Sequence, residues 1–328
     1  MKKKIRLAYI YRKCKSLELT NFYTNQIHFF FDALKRSDNF EMIYLPSDST
    51  LDITAYDGRI DAILLHENAN TGDEIVPDQI FGLEKLKVPV IAKIGDPWQV
   101  RKFDVKEHHE KYKIDGYFGI QSKDLVYRYY PKNYRYETIF YGIEPSLYQN
   151  LTPFRNRIKN KILNSGAIIN KKFSSRFIHK LKSGDANPSI HYKLRTMCNE
   201  LSYVDYTPTL DHEFFGDKYP RLLQKYCASI AATTDCYTMK YFEMPASGCL
   251  TFMEITDFNS GRLLGFEDGV NSIHINEKNY KEKFAEYISD ITNPKWEEIA
   301  SNGKIHALQN FSNDKGTDSL YEYISEFL

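Results

Sequence analysis

Two carboxylates at a fixed interval carry most of the chemistry this sequence offers. Seven residues separate Asp235 from Glu243, in a stretch that runs on through Gly248 to Glu254. A carboxylate at Glu243 can accept two hydrogen bonds from a sugar diol. Lys240, just before it, is a cation suited to neutralising a diphosphate. A helix N-terminus at this place adds free N–H groups and a positive dipole end, which suit a phosphate. Together these parts would hold a nucleotide sugar. The elements that must position them can be read from the pattern. An apolar run from Ala228 to Thr233 reads as a buried strand. Thr238 to Ala246 reads as a short amphipathic helix, in which Phe242 and Met244 supply the anchor and Glu243 points elsewhere. Gly248 stops the helix, and a second apolar strand from Cys249 to Phe252 follows at once. Asp235 then lies in the loop before the helix, and Thr238 opens the helix. Tyr237 either stacks on a planar group of the ligand or packs inside.

This segment resembles the donor-binding signature of GT-B glycosyltransferases, in which an acid, seven residues and a glutamate precede a small-x-Gly turn. The usual first acid is Glu, and here it is Asp235. The run from Lys240 to Leu250 is most similar to the spore-maturation (CgeB-like) group of these enzymes. The stretch from Ile139 to Tyr148, with Gly142, Ile143 and Glu144 at its centre, resembles the interdomain signature of the same fold. A glycine there lets the chain turn with positive φ. The resemblance implies two Rossmann-like doubly wound α/β domains facing a cleft. The expected divisions are 1–152 for the acceptor side, 153–310 for the donor side and 311–328 for a terminal helix packing back on the first domain. The resemblance also implies a glycine turn at Gly166 after the first strand of the second domain, and a phosphate-binding Arg in the next helix, at Arg176. The donor set is therefore Gly166, Arg176, Asp235, Tyr237, Thr238, Lys240 and Glu243. No Asp-x-Asp motif occurs, which fits leaving-group stabilisation by cations without a metal. Neither cofactor nor metal is expected, the nucleotide sugar being a substrate, and retention of anomeric configuration is the expected outcome.

The rest of the chain supports an α/β reading. Short apolar strands alternate with amphipathic helices throughout the first half, which means parallel sheets covered on both faces. Expected helices include Thr24 to Arg36, Gln79 to Lys87 and Trp98 to Tyr112. A last helix begins at Thr317. Ligands in such sheets sit outside the carboxyl ends of the strands. Those ends offer Tyr11 to Lys13, His66 to Asn68, and Asp96. Asp96 either caps the following helix or faces the acceptor and takes its proton. His108 and His109 fall in a charged stretch that reads as a solvated helix face.

Length and composition narrow the function classes. A chain of 328 residues suits two ordinary domains,. Its 44 basic and 43 acidic residues nearly cancel, so the strong basic footprint of a nucleic-acid binder is absent,. Local basic stretches at the first four residues and at Arg155 to Lys172 leave peripheral membrane contact open. Five cysteines without a Cys-x-x-Cys pair read as reduced thiols of a cytoplasmic protein,. No apolar run reaches the ~20 residues a bilayer-spanning helix needs. The expected partners are a nucleotide sugar and a glycan or lipid-linked acceptor. The competing readings are a non-catalytic sugar- or nucleotide-binding protein and a nucleotide-sugar epimerase on the same fold.

Overall fold

A computed structural model describes residues 3–13, 27–66, 75–102, 104–169, 191–208, 213–214 and 216–328. The chain divides into two compact units. One comprises Met1–Glu144 with Ser312–Leu328, the other Pro145–Phe311. The change of unit therefore falls at Glu144 and not at Thr152. Thr152 belongs with the second unit, where its backbone N–H and its hydroxyl both donate to the Gln224 side chain, at 2.9 and 3.0 Å.

The first unit is built on a six-stranded sheet. Its strands in chain order are β1 (Ile5–Arg12), β2 (Phe40–Ser47), β4 (Ala62–His66), β6 (Val90–Lys93), β7 (Gly116–Gly119) and β8 (Tyr136–Thr138), with β3 (Thr50–Asp52) and β5 (Gln79–Phe81) forming a separate pair. The spatial order is β2-β1-β4-β6-β7-β8, and every pairing is parallel. Strands β4 and β6 are buried at every position, the mark of a sheet covered on both faces,. Successive side chains on β1 and β4 feed opposite cores. Ala8, Ile10, Ile63 and Leu65 join one core. Leu7, Tyr9, Ala62 and Leu64 join the other, with Phe29 and Phe30.

The second unit repeats the plan with five strands. These are β9 (Ile158–Ser165), β10 (Val204–Thr207), β11 (Tyr226–Ala231), β12 (Leu250–Glu254) and β13 (Ile273–Ile275), in the spatial order β10-β9-β11-β12-β13, again all parallel. The strand order reverses between β9 and β11, so the carboxyl ends of those two strands bound the crevice where ligands bind in such sheets. The longer helices, in chain order, are α1 (Val105–Tyr112), α2 (Lys193–Cys198), α3 (Tyr219–Leu223), α4 (Lys240–Ala246), α5 (Tyr280–Ser289), α6 (Lys295–Phe311) and α7 (Asn313–Ser325). Among the described residues, no helix is long and apolar enough to cross a membrane.

Several local expectations change. Gln79–Phe81 is strand β5, paired with β3, and not the start of a helix. Gly82 follows it at φ +86, a conformation that stops a helix from forming there,. Pro97–Lys102 is a 3-10 turn, and α1 begins only at Val105, where the Asp104 side chain accepts from the N–H groups of Lys106 and Glu107,. His108 is buried against Tyr112 and not solvated, and burial pushes its imidazole down to about 4. His109 stacks on Tyr134 at 3.8 Å. The segment His28–Ala33 is wound as a π-helical turn, in which the consecutive Phe29 and Phe30 are both buried.

Helix α7 belongs to the first unit. Ser312 caps it, and Leu320, Tyr323 and Ile324 enter the core beside Phe29 and Phe30. Its start is tied to the Gly142 turn, where φ is +123. Asn313 Oδ1 accepts the Gly142 N–H at 2.8 Å, and Arg36 reaches both Glu144 (3.0 Å) and Asp314 (2.7 Å). Within α7, a Cβ on Gly316 would lie 2.6 Å from Tyr141 Cβ and 2.9 Å from the Phe140 carbonyl oxygen. Alanine gains about 1 kcal/mol of helix propensity over glycine. Overpacking against backbone costs about 1–3 kcal/mol and outweighs it. Gly316→Ala is therefore expected to destabilise the first unit in a denaturant titration, against the usual sign for this exchange in a helix.

Candidate functional site

The site is built at the reversal point of the second sheet. Strand β9 ends at Ser165, and Gly166 turns the chain away at φ +124, a conformation that glycine alone adopts without strain,. Its N–H donates to the Thr207 carbonyl at 3.0 Å, which fixes the turn to the end of β10. The bare α-carbon matters for what lies against it. A Cβ there would come within 2.7 Å of Arg195 Nη1, 2.7 Å of Lys240 Cε and 3.1 Å of Lys240 Nζ. Two cations from separate helices, α2 and α4, thus close on one glycine turn.

Arg195 is 2% exposed and locked in place. Its Nε donates to the Ala232 carbonyl just beyond β11, and its Nη1 to the Ala167 carbonyl just beyond β9, both at 3.1 Å. The guanidinium therefore bridges the two strand ends at the reversal point, lying over the Tyr192 ring. Lys240 is half-buried, its ammonium 5.6 Å from the Tyr219 ring centroid. Among the described residues, neither cation lies within ion-pair distance of a carboxylate. Burial, and then the neighbouring Arg195, pull the Lys240 ammonium down to about 8, with Glu243 pulling the other way. Two adjacent cations with no carboxylate at ion-pair distance among the described residues have the chemistry to accept an anion.

Helix α4 places the remaining side chains. It is short, and its end forms a complete Schellman motif. The Gly248 N–H donates to the Pro245 carbonyl at 2.7 Å, and the Cys249 N–H to the Met244 carbonyl at 3.3 Å, with Gly248 at φ +71,. Tyr241 pins the helix from below. Its hydroxyl accepts the Thr233 N–H and donates to the Glu254 carbonyl, each at 3.0 Å. Among the described residues, the first turn has no side-chain cap and the buried Thr238 Oγ1 has no hydrogen-bond partner. Glu243 is half-buried, and its charge reaches Tyr148 and Tyr219. Burial first, and then the charge of Glu243, push both phenols up. Asp235 is half-buried, with one carboxylate oxygen 3.4 Å from His191 Nδ1.

The structure thus gathers Gly166 and Lys240, with Glu243 and Thr238 on or just before the same short helix as Lys240. Tyr237 is fully buried, its ring 6.3 Å from that of Phe242, so the packing reading accounts for its position. Arg176, Glu67 and Asn68 lie outside the described residues. Asp96 belongs to the first unit, exposed between β6 and the 3-10 turn at Pro97–Lys102. At the carboxyl end of β4, His66 is fully buried with Nδ1 2.6 Å from the Tyr9 hydroxyl, and burial holds the imidazole neutral. Sequence reading missed Arg195. Its signal was the helical stripe of Leu194 and Cys198, which carries Arg195 to the buried side,. It also missed Tyr148 and Tyr219, the two phenols that the charge of Glu243 reaches.

No protein-family model matches this chain, and no curated protein matches it. Solved structures do match, over nearly all of its length. Anabaena HepE in complex with UDP-glucose is 11% identical, with a TM-score of 0.55 over 98% of this chain and 100% of that one. A glycosyltransferase from Rickettsia africae is 10% identical, with a TM-score of 0.57 over 99% and 98%. An alpha-glucosyltransferase in complex with UDP and a 13-mer DNA is 10% identical, with a TM-score of 0.58 over 98% and 100%. The fold is GT-B. Its two Rossmann-like sheets are the two units described above, and the GT-B likeness extends through both.

Proposed function

We propose that this chain is a glycosyltransferase that takes its sugar from a nucleotide-sugar donor bound to the second unit. The observation that carries the proposal is the convergence of Arg195 and Lys240 on the bare α-carbon of Gly166, at the reversal point of the sheet. A nucleotide diphosphate is the anion such a pair suits. The binding of UDP and UDP-glucose by GT-B structures similar to this one makes uridine the first base to test. In this reading Glu243 accepts the ribose hydroxyls, and Asp235 faces the sugar. The resemblance of the Lys240 to Leu250 segment supports kinship with the spore-maturation group.

The chemistry follows from charge. When the bond to the anomeric carbon breaks, negative charge develops on the leaving diphosphate. Cations already held in place stabilise that charge without reorganisation. Arg195 is fixed by two carbonyls and supplies preorganisation; Lys240 is the adjustable partner. No metal is required by this arrangement, and retention is the stereochemical course we assign. The acceptor is a glycan or a lipid-linked sugar, with Asp96 as the acceptor-side carboxylate. The near-neutral charge favours these over a nucleic acid. A cytoplasmic enzyme, in peripheral contact with a membrane when its acceptor is lipid-linked, fits this chemistry.

The pH dependence has a definite sign. Bound diphosphate favours the charged form of Lys240, so the Lys240 contribution to affinity is full below about 8 and declines as the pH rises through that value,. Titration of UDP-glucose across this range checks it, because its diphosphate diester does not itself ionise there. The reaction class is tested by incubating the protein with nucleotide sugars and separate glycan, lipid-linked and DNA acceptors. Acceptor-dependent nucleotide release supports the transferase. Conversion of the donor's sugar without an acceptor marks an epimerase, and binding without any product marks a non-catalytic member.

A further inference from the structure

Glu254 closes strand β12 and is 4% exposed. Its main chain is held on both sides, the carbonyl accepting from the Tyr241 hydroxyl at 3.0 Å and from Asn259 Nδ2 at 2.7 Å. The side chain therefore cannot swing out to water by a backbone shift. One carboxyl oxygen, Oε1, accepts the Thr234 hydroxyl at 3.2 Å. The other, Oε2, is buried and has no hydrogen-bond partner among the described residues. Buried polar atoms in native proteins nearly always have partners, and an orphan calls for an explanation.

The surroundings are charged on every side. Thr234 and Asp235 come from the turn after β11, Glu277 from beyond β13, and Arg195 from α2. His191 lies 3.4 Å from Asp235, and Lys193 pairs with Glu277 at 2.6 Å. The Thr234 N–H also donates to the His191 carbonyl, so the turn that carries Asp235 is tied both to the segment leading into α2 and to Glu254. An ionised Glu254 would leave one anionic oxygen buried without a donor, with Asp235 and Glu277 nearby. A neutral carboxylic acid removes the repulsion and leaves only an uncharged oxygen unpaired, which costs far less to bury than an anionic one. Burial is the main reason its carboxyl is pushed up to about 7; the Thr234 hydroxyl and Arg195 pull it down, while Glu277 and Asp235 push it up.

We propose that Glu254 is a positioning residue of the donor site: as a neutral acid it accepts the Thr234 hydroxyl without repelling Asp235, and on ionisation its charge drives the Asp235 end of that turn away. The ionised form must draw in water to satisfy Oε2 and must relax its repulsion from Asp235. Both changes act on the turn that carries the first of the two donor carboxylates. Glu254 thereby makes donor affinity sensitive to proton concentration from a group that does not touch the donor. The inference rests on the donor reading for its consequence and on the Glu254 geometry for its cause, and the two can be tested apart.

The cause is read without any ligand. Hydrogen exchange at the Thr233 to Asp235 amides, corrected for intrinsic rates, is measured about one pH unit below and one above neutrality. In the wild-type protein the turn loses protection at the higher pH. In Glu254→Gln, whose amide oxygen still accepts from Thr234 but carries no charge, protection is the same at both. In Glu254→Ala the turn is unprotected at both. Equal pH dependence in wild type and Glu254→Gln overturns the proposal. The consequence is read with UDP-glucose. If the ionised form does not bind, wild-type affinity one unit above the Glu254 transition is about 10-fold weaker than well below it. Glu254→Gln loses this step and keeps only the later decline set by Lys240. Superimposable binding profiles in the two proteins overturn the coupling. Protection that follows Glu254, with no nucleotide sugar bound by the wild-type protein at any pH, overturns the donor assignment and leaves the turn's proton sensitivity standing.

Discussion

Lys240→Met is expected to weaken nucleotide-sugar binding about 100-fold while raising the melting temperature of the protein. The two signs have one cause. Lys240 is a partly buried cation with Arg195 beside it and no carboxylate within ion-pair distance among the described residues. In the absence of an anion the charge is unfavourable, which is why its ammonium is pulled down to about 8. By linkage, the unfolded chain holds that proton more tightly than the folded one. Stability therefore rises as the pH goes from about 8 toward the ordinary lysine range. Methionine keeps the length and removes the charge. Below pH 8 the gain is about 1–3 kcal/mol, after allowance for partial exposure. Loss of one charged partner from a close ion pair costs binding about 2–5 kcal/mol. Calorimetric titration and thermal unfolding of the same two proteins check both signs. A residue that merely packs would lose stability when replaced and leave affinity unmoved, so opposite movement of the two quantities identifies a functional cation.

Gly166→Ala is expected to abolish donor binding and to destabilise the second unit by about 2–4 kcal/mol. Part of the cost is conformational, because φ is +124. The larger part is steric and falls on the cations. The new methyl would sit 2.7 Å from both Arg195 Nη1 and Lys240 Cε. Lys240 is flexible enough to retreat. Arg195 is not, since it donates to carbonyls beyond both β9 and β11. Gly269→Ala provides the control in the same unit. Its φ is +74 but a Cβ there meets nothing within 4 Å. It should show the conformational cost, about 1 kcal/mol, with unchanged affinity. Equal effects of the two substitutions on binding would remove Gly166 from the site.

Much of this fold can be read from the chain because parallel strands buried on both faces, such as Ala62–His66 and Leu250–Glu254, leave continuous apolar runs,. The short helix bearing Lys240 and Glu243 was legible for a related reason: Gly248 ends it with a local motif made only of nearby residues. What escaped depends on partners distant in sequence. Nothing local shows that Gln79 pairs with Thr50, and the spacing of Ile80, Leu83 and Leu86 reads equally well as a helix face until the φ of Gly82 is known. Arg195 is the clearest case at the site. Its burial is tolerable only because carbonyls beyond two separate strands accept its protons, and that meeting is a property of the sheet order. Glu254 is similar: its chemistry comes from Thr234, Asp235, Glu277 and Arg195, which three different segments deliver.

The most direct test of the central claim is calorimetric titration of purified wild-type protein, Lys240→Met and Glu243→Ala with a panel of nucleotide sugars differing in base and sugar. Ligand that binds only the folded state must also raise the melting temperature, which gives each titration an internal check. The structure predicts that nucleotide sugars of one base family bind the wild-type protein. Lys240→Met should lose that binding for every member of the family, and Glu243→Ala should lose the preference for nucleosides bearing both ribose hydroxyls. No binding of any nucleotide sugar at saturating concentration, or binding by Lys240→Met as tight as that of the wild type, would contradict a donor site at Gly166, Arg195 and Lys240.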